Sequence, residues 1–333
     1  MAADIRNNNK KVKMMKKNVY QIINTIVFLL FSGLTLTSCK ESDEPAVSIN
    51  IPAADEECCN AEETFLAYTF LNNGYLKEIT SLRDTIDGKY ALGVYSRGGN
   101  LHAGYNDIYF ALTKIANQGF VRDFSITEIS PVMTMTAMGM KHATPTVTES
   151  VLYDATFPAV QHAWISFVMS SSDKGFWELS YKVTTQNHSV THNGSVINVN
   201  PNAAGQEWLK SFKYQDVTYY LSLVNPGEFQ TGINTIYAYV SEQNADKTKP
   251  WEVSAQEFTI EIIPTMPDMG NHSSPDNVAL KKQESGIYEG KLNLTMTGLW
   301  DIHLVVKDKE GSIVAGGENN DSGYSSLYWS VTI

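Results

Sequence analysis

The feature that most constrains this chain is a duplication of one alternating pattern. The segments YALGVYSRGGNLHAGYNDIYFALTK (90–114) and YYLSLVNPGEFQTGINTIYAYVSE (219–242) each place an apolar alternation before a glycine-containing turn. In both, the residues G-x-N-x-I-Y then open a second alternating stretch. Self-similarity of this kind indicates two copies of one structural module, so the fold must be one that can be built twice in tandem.

The similarity continues past these segments. A Met- and His-rich stretch follows in each copy, SPVMTMTAMGMKHATP (130–145) and IPTMPDMGNHSSP (263–275). Further on, Met169 aligns with Met296 and Trp177 with Trp300, which predicts that each methionine packs on the following indole ring. The boundary between the copies falls near residues 202–206.

Alternation with a period of two indicates the fold class. β-Branched and aromatic residues alternate with polar ones, and Gly, Pro, Asn and Asp interrupt the pattern every eight to twelve residues, as in a β-sandwich. The sequence therefore predicts an all-β protein with two tandem immunoglobulin-like β-sandwich domains, at residues 75–202 and 203–333. Residues 61–79 are the exception, because they fit either a short helix or an edge strand capping the first domain.

The first residues predict export and anchoring. A lysine-rich run precedes a short apolar stretch and then LTSC, which is the pattern of a signal peptide spanning residues 1–38. The end of this stretch resembles a bacterial lipobox with Cys39 as the lipidated residue; the alternative is an ordinary signal peptide and an incidental cysteine. The acidic cluster after Lys40 resembles an export signal for the outer membrane. We therefore expect an outer membrane lipoprotein, at the cell surface or the periplasmic face, with residues 39–74 as an acidic tether.

Charge and cysteine content exclude some partners. Removal of residues 1–38 leaves 19 basic and 35 acidic side chains, a formal net charge of −16. Such a surface repels nucleic acid, so no polyanionic partner is expected. Two cysteines remain, Cys58 and Cys59, and their adjacency leaves three alternatives open: a soft-metal ligand pair, a vicinal disulfide, or no dedicated role.

The Met- and His-rich stretches predict a soft-metal site. Thioethers suit Cu(I), need no deprotonation and do not form disulfides in an oxidising compartment. Residues i and i+2 of a strand share one face about 7 Å apart, a gap that flexible methionines can close. The alternative is that two or three of these methionines pack in the hydrophobic core and do not bind metal. The candidate ligands are Met133, Met135, Met138, Met140, His142, Met266, Met269 and His272.

The other five histidines are interpreted as exposed or as satisfied by hydrogen bonds: His102, His162, His188, His192 and His303. None of the familiar nucleophile, metalloprotease or nucleotide-binding motifs occurs in the chain. We therefore expect that the protein is not an enzyme.

In the second copy the order of residues resembles a known family, the YtkA-like or FixH-like domain, a small immunoglobulin-like module. The residues that carry the resemblance are Gly232, Asn234, Met266, Pro267, Met269, His272, Gly286, Tyr288, Gly290, Met296, Gly298 and Trp300. The first copy departs from this order, since Thr134 replaces the proline and the G-x-Y-x-G turn is missing. The resemblance implies a module of copper handling and of haem–copper oxidase assembly.

Three functions compete at this point. The first is an envelope lipoprotein that binds Cu(I) for buffering or for delivery to a membrane metal transporter or oxidase. The second is a non-catalytic surface module that binds an envelope protein or a glycan, with exposed tyrosines supplying contacts. The third is a pair of spacers that hold the second copy away from the membrane.

Overall fold

The computed structural model describes residues 58–203, 206–317 and 323–333. The predicted signal peptide and Cys39 lie outside these residues. The described chain opens with helix α1 (Ala61–Leu71), which Asn60 caps through a reciprocal pair of hydrogen bonds with Glu63. Ala67 and Leu71 pack into a small buried cluster with Cys58 and Cys59. The part of the predicted tether that begins at residue 58 is therefore folded, and a helix is followed there by an edge strand.

The first copy consists of two facing antiparallel sheets. One has the order β1-β3-β5-β9-β8 with β2 also paired to β3, the other has the order β11-β10-β6-β7, and β12 pairs with β4 in parallel. Their inward side chains form one core around the fully buried Trp177. The strands are β1 (Leu76–Glu78), β2 (Asp84–Ile86), β3 (Tyr90–Arg97), β4 (Leu101–His102), β5 (Gly104–Lys114), β6 (Phe124–Met135), β7 (Met140–His142), β8 (Val151–Leu152), β9 (Val160–Phe167), β10 (Gly175–Thr185), β11 (Ser189–Ile197) and β12 (Val199–Asn200).

The second copy is one continuous ten-stranded sheet folded around a core that contains Trp300 and Trp329. Its order is β13-β14-β15-β19-β18-β16-β20-β21, with β17 on β16 and β22 on β20, so β18 joins the two layers. The strands are β13 (Leu209–Tyr214), β14 (Val217–Leu223), β15 (Gly232–Glu242), β16 (Thr259–Met266), β17 (His272–Ser273), β18 (Val278–Lys282), β19 (Tyr288–Leu294), β20 (Leu299–Lys307), β21 (Ile313–Ala315) and β22 (Tyr328–Thr332). The all-β prediction is confirmed.

The G-x-N motif forms the same turn in both copies. Asn106 accepts a hydrogen bond from the His102 backbone N–H (2.9 Å) and donates to the carbonyl of Gly104 (2.8 Å). Asn234 repeats both bonds, with Gln230 (2.9 Å) and Gly232 (2.9 Å). The two glycines have φ values of +86° and +101°, which side chains with a Cβ rarely adopt. The motif therefore has the same structural role, a tight turn before a strand, in each sandwich.

The aligned tryptophans also share one contact. The indole N–H of Trp177 donates to the carbonyl of Met169 (3.0 Å), and that of Trp300 donates to the carbonyl of Met296 (2.9 Å). The Met169 side chain itself is 38% exposed. Backbone carbonyls thus link these methionines to the buried rings, because a buried indole N–H needs an acceptor. The Met296 side chain also packs against the second core, whereas the packing predicted for Met169 stays a prediction.

The outer faces of the two copies pack on each other. Trp164 of β9 stacks on Tyr239 of β15 with ring centroids 4.3 Å apart. At one side, Thr144 and Thr146 exchange backbone hydrogen bonds with Trp251, each 3.2 Å long. Both copies belong to one compact unit. Within the described residues no helix is long and apolar enough to cross a membrane.

Candidate functional site

The β6–β7 hairpin gathers four of the predicted ligands on one face. In its antiparallel register Met133 lies opposite His142, and Met135 lies opposite Met140. Directly opposed residues share a face, and residues two apart on one strand do so as well. Met133, Met135, Met140 and His142 therefore project from the same side of the hairpin, whereas Thr134 and Lys141 project from the other. We call these four residues the hairpin cluster.

Burial decreases along the hairpin cluster from the core outward. Met133 is buried at 1% exposure, and a Cβ added to Gly175 would lie 2.9 Å from its sulfur, so protein encloses that atom. Met135 is half-buried and packs against the first core. Met140 is 54% exposed. The cluster thus runs from a dry interior to solvent, and Met140 is its most exposed residue.

His142 is held with one nitrogen committed. Its Nδ1 lies 2.8 Å from the carbonyl of Ala143. A carbonyl can only accept, so Nδ1 carries the proton and donates. The neutral ring then has its lone pair on Nε2, which is the form that a metal-ligating histidine takes. The ring packs edge-on against Trp177 (5.5 Å) and lies over Trp251 of the second copy (6.2 Å).

Met138 lies apart from the cluster. It is in the turn between β6 and β7, where its backbone N–H donates to the Met135 carbonyl (3.3 Å), and its side chain is 57% exposed. Gly139 follows it with φ of +61°. The structure therefore separates Met138 from the other four predicted ligands of the first copy.

The second copy assembles less. Met266 lies opposite His272 in the β16–β17 pairing, as Met133 lies opposite His142. Met266 is 4% exposed and belongs to the second core, while Met269, in the 3-10 helix Pro267–Met269, is 54% exposed and His272 is exposed. The inward alternation of β16 continues to Met266 and takes its sulfur into the core. One cross-strand pair thus remains of the predicted ligand trio.

Acidic and imidazole groups do not form a competing metal centre in the described part of the chain. No three side chains among His, Cys, Asp and Glu come together there as a cation site. Cys58 and Cys59 are joined as a disulfide and are buried, at 7% and 2% exposure. This selects the disulfide among the three alternatives, and neither sulfur is a thiolate ligand while the bond is intact.

Three of the other histidines hold structural hydrogen bonds. His303 bonds to the Ser325 carbonyl (2.6 Å) and His162 to Asp107 (2.8 Å). His192 joins Asp84 through Nδ1 and Ser195 through Nε2, both at 2.7 Å, and stacks on Tyr181. Asp84 and His192 are 108 residues apart, so no spacing in the sequence signals this chain of bonds. The backbone N–H of the neighbouring Gly194 donates to the Ser180 hydroxyl. This N–H group is therefore not free to stabilise an oxyanion near Ser195.

Comparisons with known proteins locate the resemblance. Residues 213–305 match the family model described as YtkA-like, which confirms the predicted resemblance for the second copy. A search of curated proteins finds no match. Among solved structures, invasin, a bacterial integrin-binding protein, is 11% identical over 73% of this chain and 39% of its own length, with a TM-score of 0.19. A marsupial T cell receptor is 11% identical over 69% of this chain and 96% of its own, with a TM-score of 0.20.

Proposed function

We propose that this protein is a non-catalytic envelope lipoprotein that binds a soft metal ion, Cu(I), at the hairpin cluster. The observation that carries the proposal is the shared face of Met133, Met135, Met140 and His142, with the Nδ1 of the histidine already bonded. The match of residues 213–305 to the YtkA-like model is consistent with a metal-related role.

The chemistry follows from the position of each donor. Met135 and Met140 would supply two thioethers, and His142 would supply Nε2, which is a soft ligand set that suits Cu(I). Met133 lies below them, where its enclosed sulfur could take part only after side-chain movement. Neutral thioethers need no deprotonation before they bind a metal ion.

The first copy, and not the second, is the stronger candidate. In the second copy only Met266 and His272 are paired, and the methionine is buried in the core. The first copy departs from the family pattern in that its hairpin also contains Met135 and Met140. This departure adds thioether donors to the first copy.

Titration with Ag(I) tests the proposal. Ag(I) is a soft d¹⁰ ion that needs no reductant, so the Cys58–Cys59 disulfide is preserved during the measurement. We expect one tight site in the full-length protein, with at least tenfold weaker binding after Met140→Ala. The same change at Met138 is the matched control, because Met138 is equally exposed but lies in the turn.

Either of two results would contradict the proposal. One is equal Ag(I) affinity in the Met138→Ala and Met140→Ala variants, which would place binding elsewhere. The other is retention of the wild-type affinity by His142→Phe, a change that keeps a ring against Trp177 but removes the nitrogen. Repeating the titration with Cu(I) under a non-thiol reductant then compares the two ions.

Anchoring and delivery are separate parts of the proposal. Lipidation of Cys39 would attach the protein to the outer membrane, where a metal transporter or an oxidase would be the recipient or source of the ion. Cys39→Ser should move the protein from the membrane fraction to the soluble fraction. If it stays membrane-bound, the anchor is wrong while the metal site remains open to its own test.

A further inference from the structure

A cavity of about 360 Å³ lies between the two copies. Its wall includes residues of the first copy, of the connecting segment and of the second copy. The volume is near the lower end of small-molecule sites, which span about 300–1,000 Å³. The residues that matter to its chemistry are Asn100, Asp107, Asn202, Gln206, Trp208 and Asn225.

A fixed carboxylate forms part of this wall. Asp107 accepts hydrogen bonds from the Tyr105 hydroxyl (2.7 Å), from Nε2 of His162 (2.8 Å) and, across the two copies, from Asn225 (3.2 Å). Burial alone would raise the pKa of Asp107, but these bonds outweigh it and lower the pKa below its ordinary value. The group is therefore an ionised acceptor at neutral pH, and only 17% of its side chain is exposed.

Side-chain amides supply both donors and acceptors around it. Asn202 donates to the carbonyls of Ala103 (3.0 Å) and Gln206 (3.1 Å), and Asn100 donates to that of Gly98 (3.2 Å). These bonds fix the amide groups before a ligand arrives, which lowers the entropic cost of binding. Each amide also has an oxygen that can accept.

An aromatic ring completes the wall. The indole N–H of Trp208 donates to the Ser330 carbonyl (2.8 Å), which fixes the ring plane. The Trp208 side chain is partly buried against the second core, and the part of it that lines the cavity adds an apolar surface beside amides and a carboxylate. This combination suits a ligand with hydroxyl groups on its rim and C–H groups on its faces.

We propose that the cavity binds a neutral sugar of one or two rings. Amide side chains would accept from and donate to its hydroxyl groups, the Asp107 carboxylate would accept from them, and Trp208 would pack against an apolar part of the sugar. Asp107 disfavours a phosphorylated or acidic ligand, and the guanidinium of Arg97, which also lines the cavity, is already paired with Glu228. A purely apolar ligand would leave the amides unpaired. Because residues of both copies form the wall, the site exists only in the tandem. The proposal is independent of the soft-metal function.

Calorimetric titration of the full-length protein with defined saccharides tests this. The probes are glucose, galactose, mannose, N-acetylglucosamine and the α- and β-linked disaccharides of each. We expect at least one to bind, with at least tenfold weaker affinity in both Gln206→Ala and Asn100→Ala. Asn100 is exposed, so its truncation should leave folding intact. Gln283→Ala, an exposed amide just after β18 that is not part of the cavity wall, is the matched control.

The results expected with and without a sugar site differ. Loss of binding in the two cavity variants but not in Gln283→Ala supports the site. Failure of every probe to bind the wild type overturns it, and so does equal binding by cavity and control variants. Met140→Ala should leave sugar binding unchanged, so failure here and failure of the metal site are distinguishable.

Discussion

Trp164 and Tyr239 should couple the stabilities of the two copies. The two rings stack at 4.3 Å across the contact between β9 and β15, and Trp164 is only 3% exposed. Truncating so buried a ring removes its transfer energy and leaves a cavity, so Trp164→Ala should lower the free energy of unfolding by about 3–5 kcal/mol. Tyr239→Ala, at a half-buried position, should cost about 1.5–3 kcal/mol.

The coupling energy between Trp164 and Tyr239 tests the argument more directly than either single substitution. Aromatic pairs contribute about 0.5–1.5 kcal/mol beyond the area that they bury, and residues in contact deviate from additivity by amounts of that order. The double variant should therefore be less destabilised than the sum of the singles by about 1 kcal/mol. Urea denaturation followed by tryptophan fluorescence and far-UV circular dichroism gives each term.

Tyr75 is the control position for this experiment. Tyr75 is 73% exposed, so Tyr75→Ala should change the free energy of unfolding by no more than about 0.5 kcal/mol. The wild type should unfold in one transition, because both copies belong to one compact unit. Two well-separated transitions, or additive single substitutions, would refute the argument that this contact couples the copies.

Two further predictions concern single residues. Gly298→Ala should lower the free energy of unfolding by about 1–3 kcal/mol in urea denaturation, since Gly298 has φ of +133° and the new methyl group would lie 2.9 Å from the Met266 Cε. Gly311→Ala is the control for backbone strain without that contact, because Gly311 has φ of +86° and open space around it. Equal losses in the two variants would contradict a role for Met266. Asp107 has a pKa below its ordinary value when folded, so its stabilisation is present above the unfolded pKa of about 3.9 and is lost as pH falls through the folded pKa. Asp107→Asn should therefore show a weaker loss of stability between neutral pH and about pH 3 than the wild type in pH-dependent denaturation, and parallel profiles would contradict this.

Much of the fold could be predicted because alternation and repetition are local signals. The G-x-N motifs and the aligned Trp177 and Trp300 have identical hydrogen bonds in the two copies. The period of two also predicts which strand positions face the core. It could not show that the second copy forms one continuous sheet, because that depends on β18 pairing with both β19 and β16.

The candidate site was less predictable, since it depends on register. All of Met133, Met135, Met138, Met140 and His142 are plausible ligands by residue type. A shift of one residue in the β6–β7 pairing would move every side chain to the other face, and the pattern of the sequence does not fix that shift. Only the observed register brings Met140 opposite Met135 and leaves Met138 in the turn.

The contact between the copies also holds the end of the β6–β7 hairpin in place. His142 lies over Trp251, which belongs to the second copy and itself stacks on Tyr220 (4.7 Å). The same segment pairs with Thr144 and Thr146, directly after the hairpin. A hairpin whose end is held by a neighbouring domain needs less stabilisation from its own turn, which here is residues 136–139. The second copy has no such partner on its β16–β17 hairpin among the described contacts, and its turn is formed by the 3-10 helix that begins at Pro267.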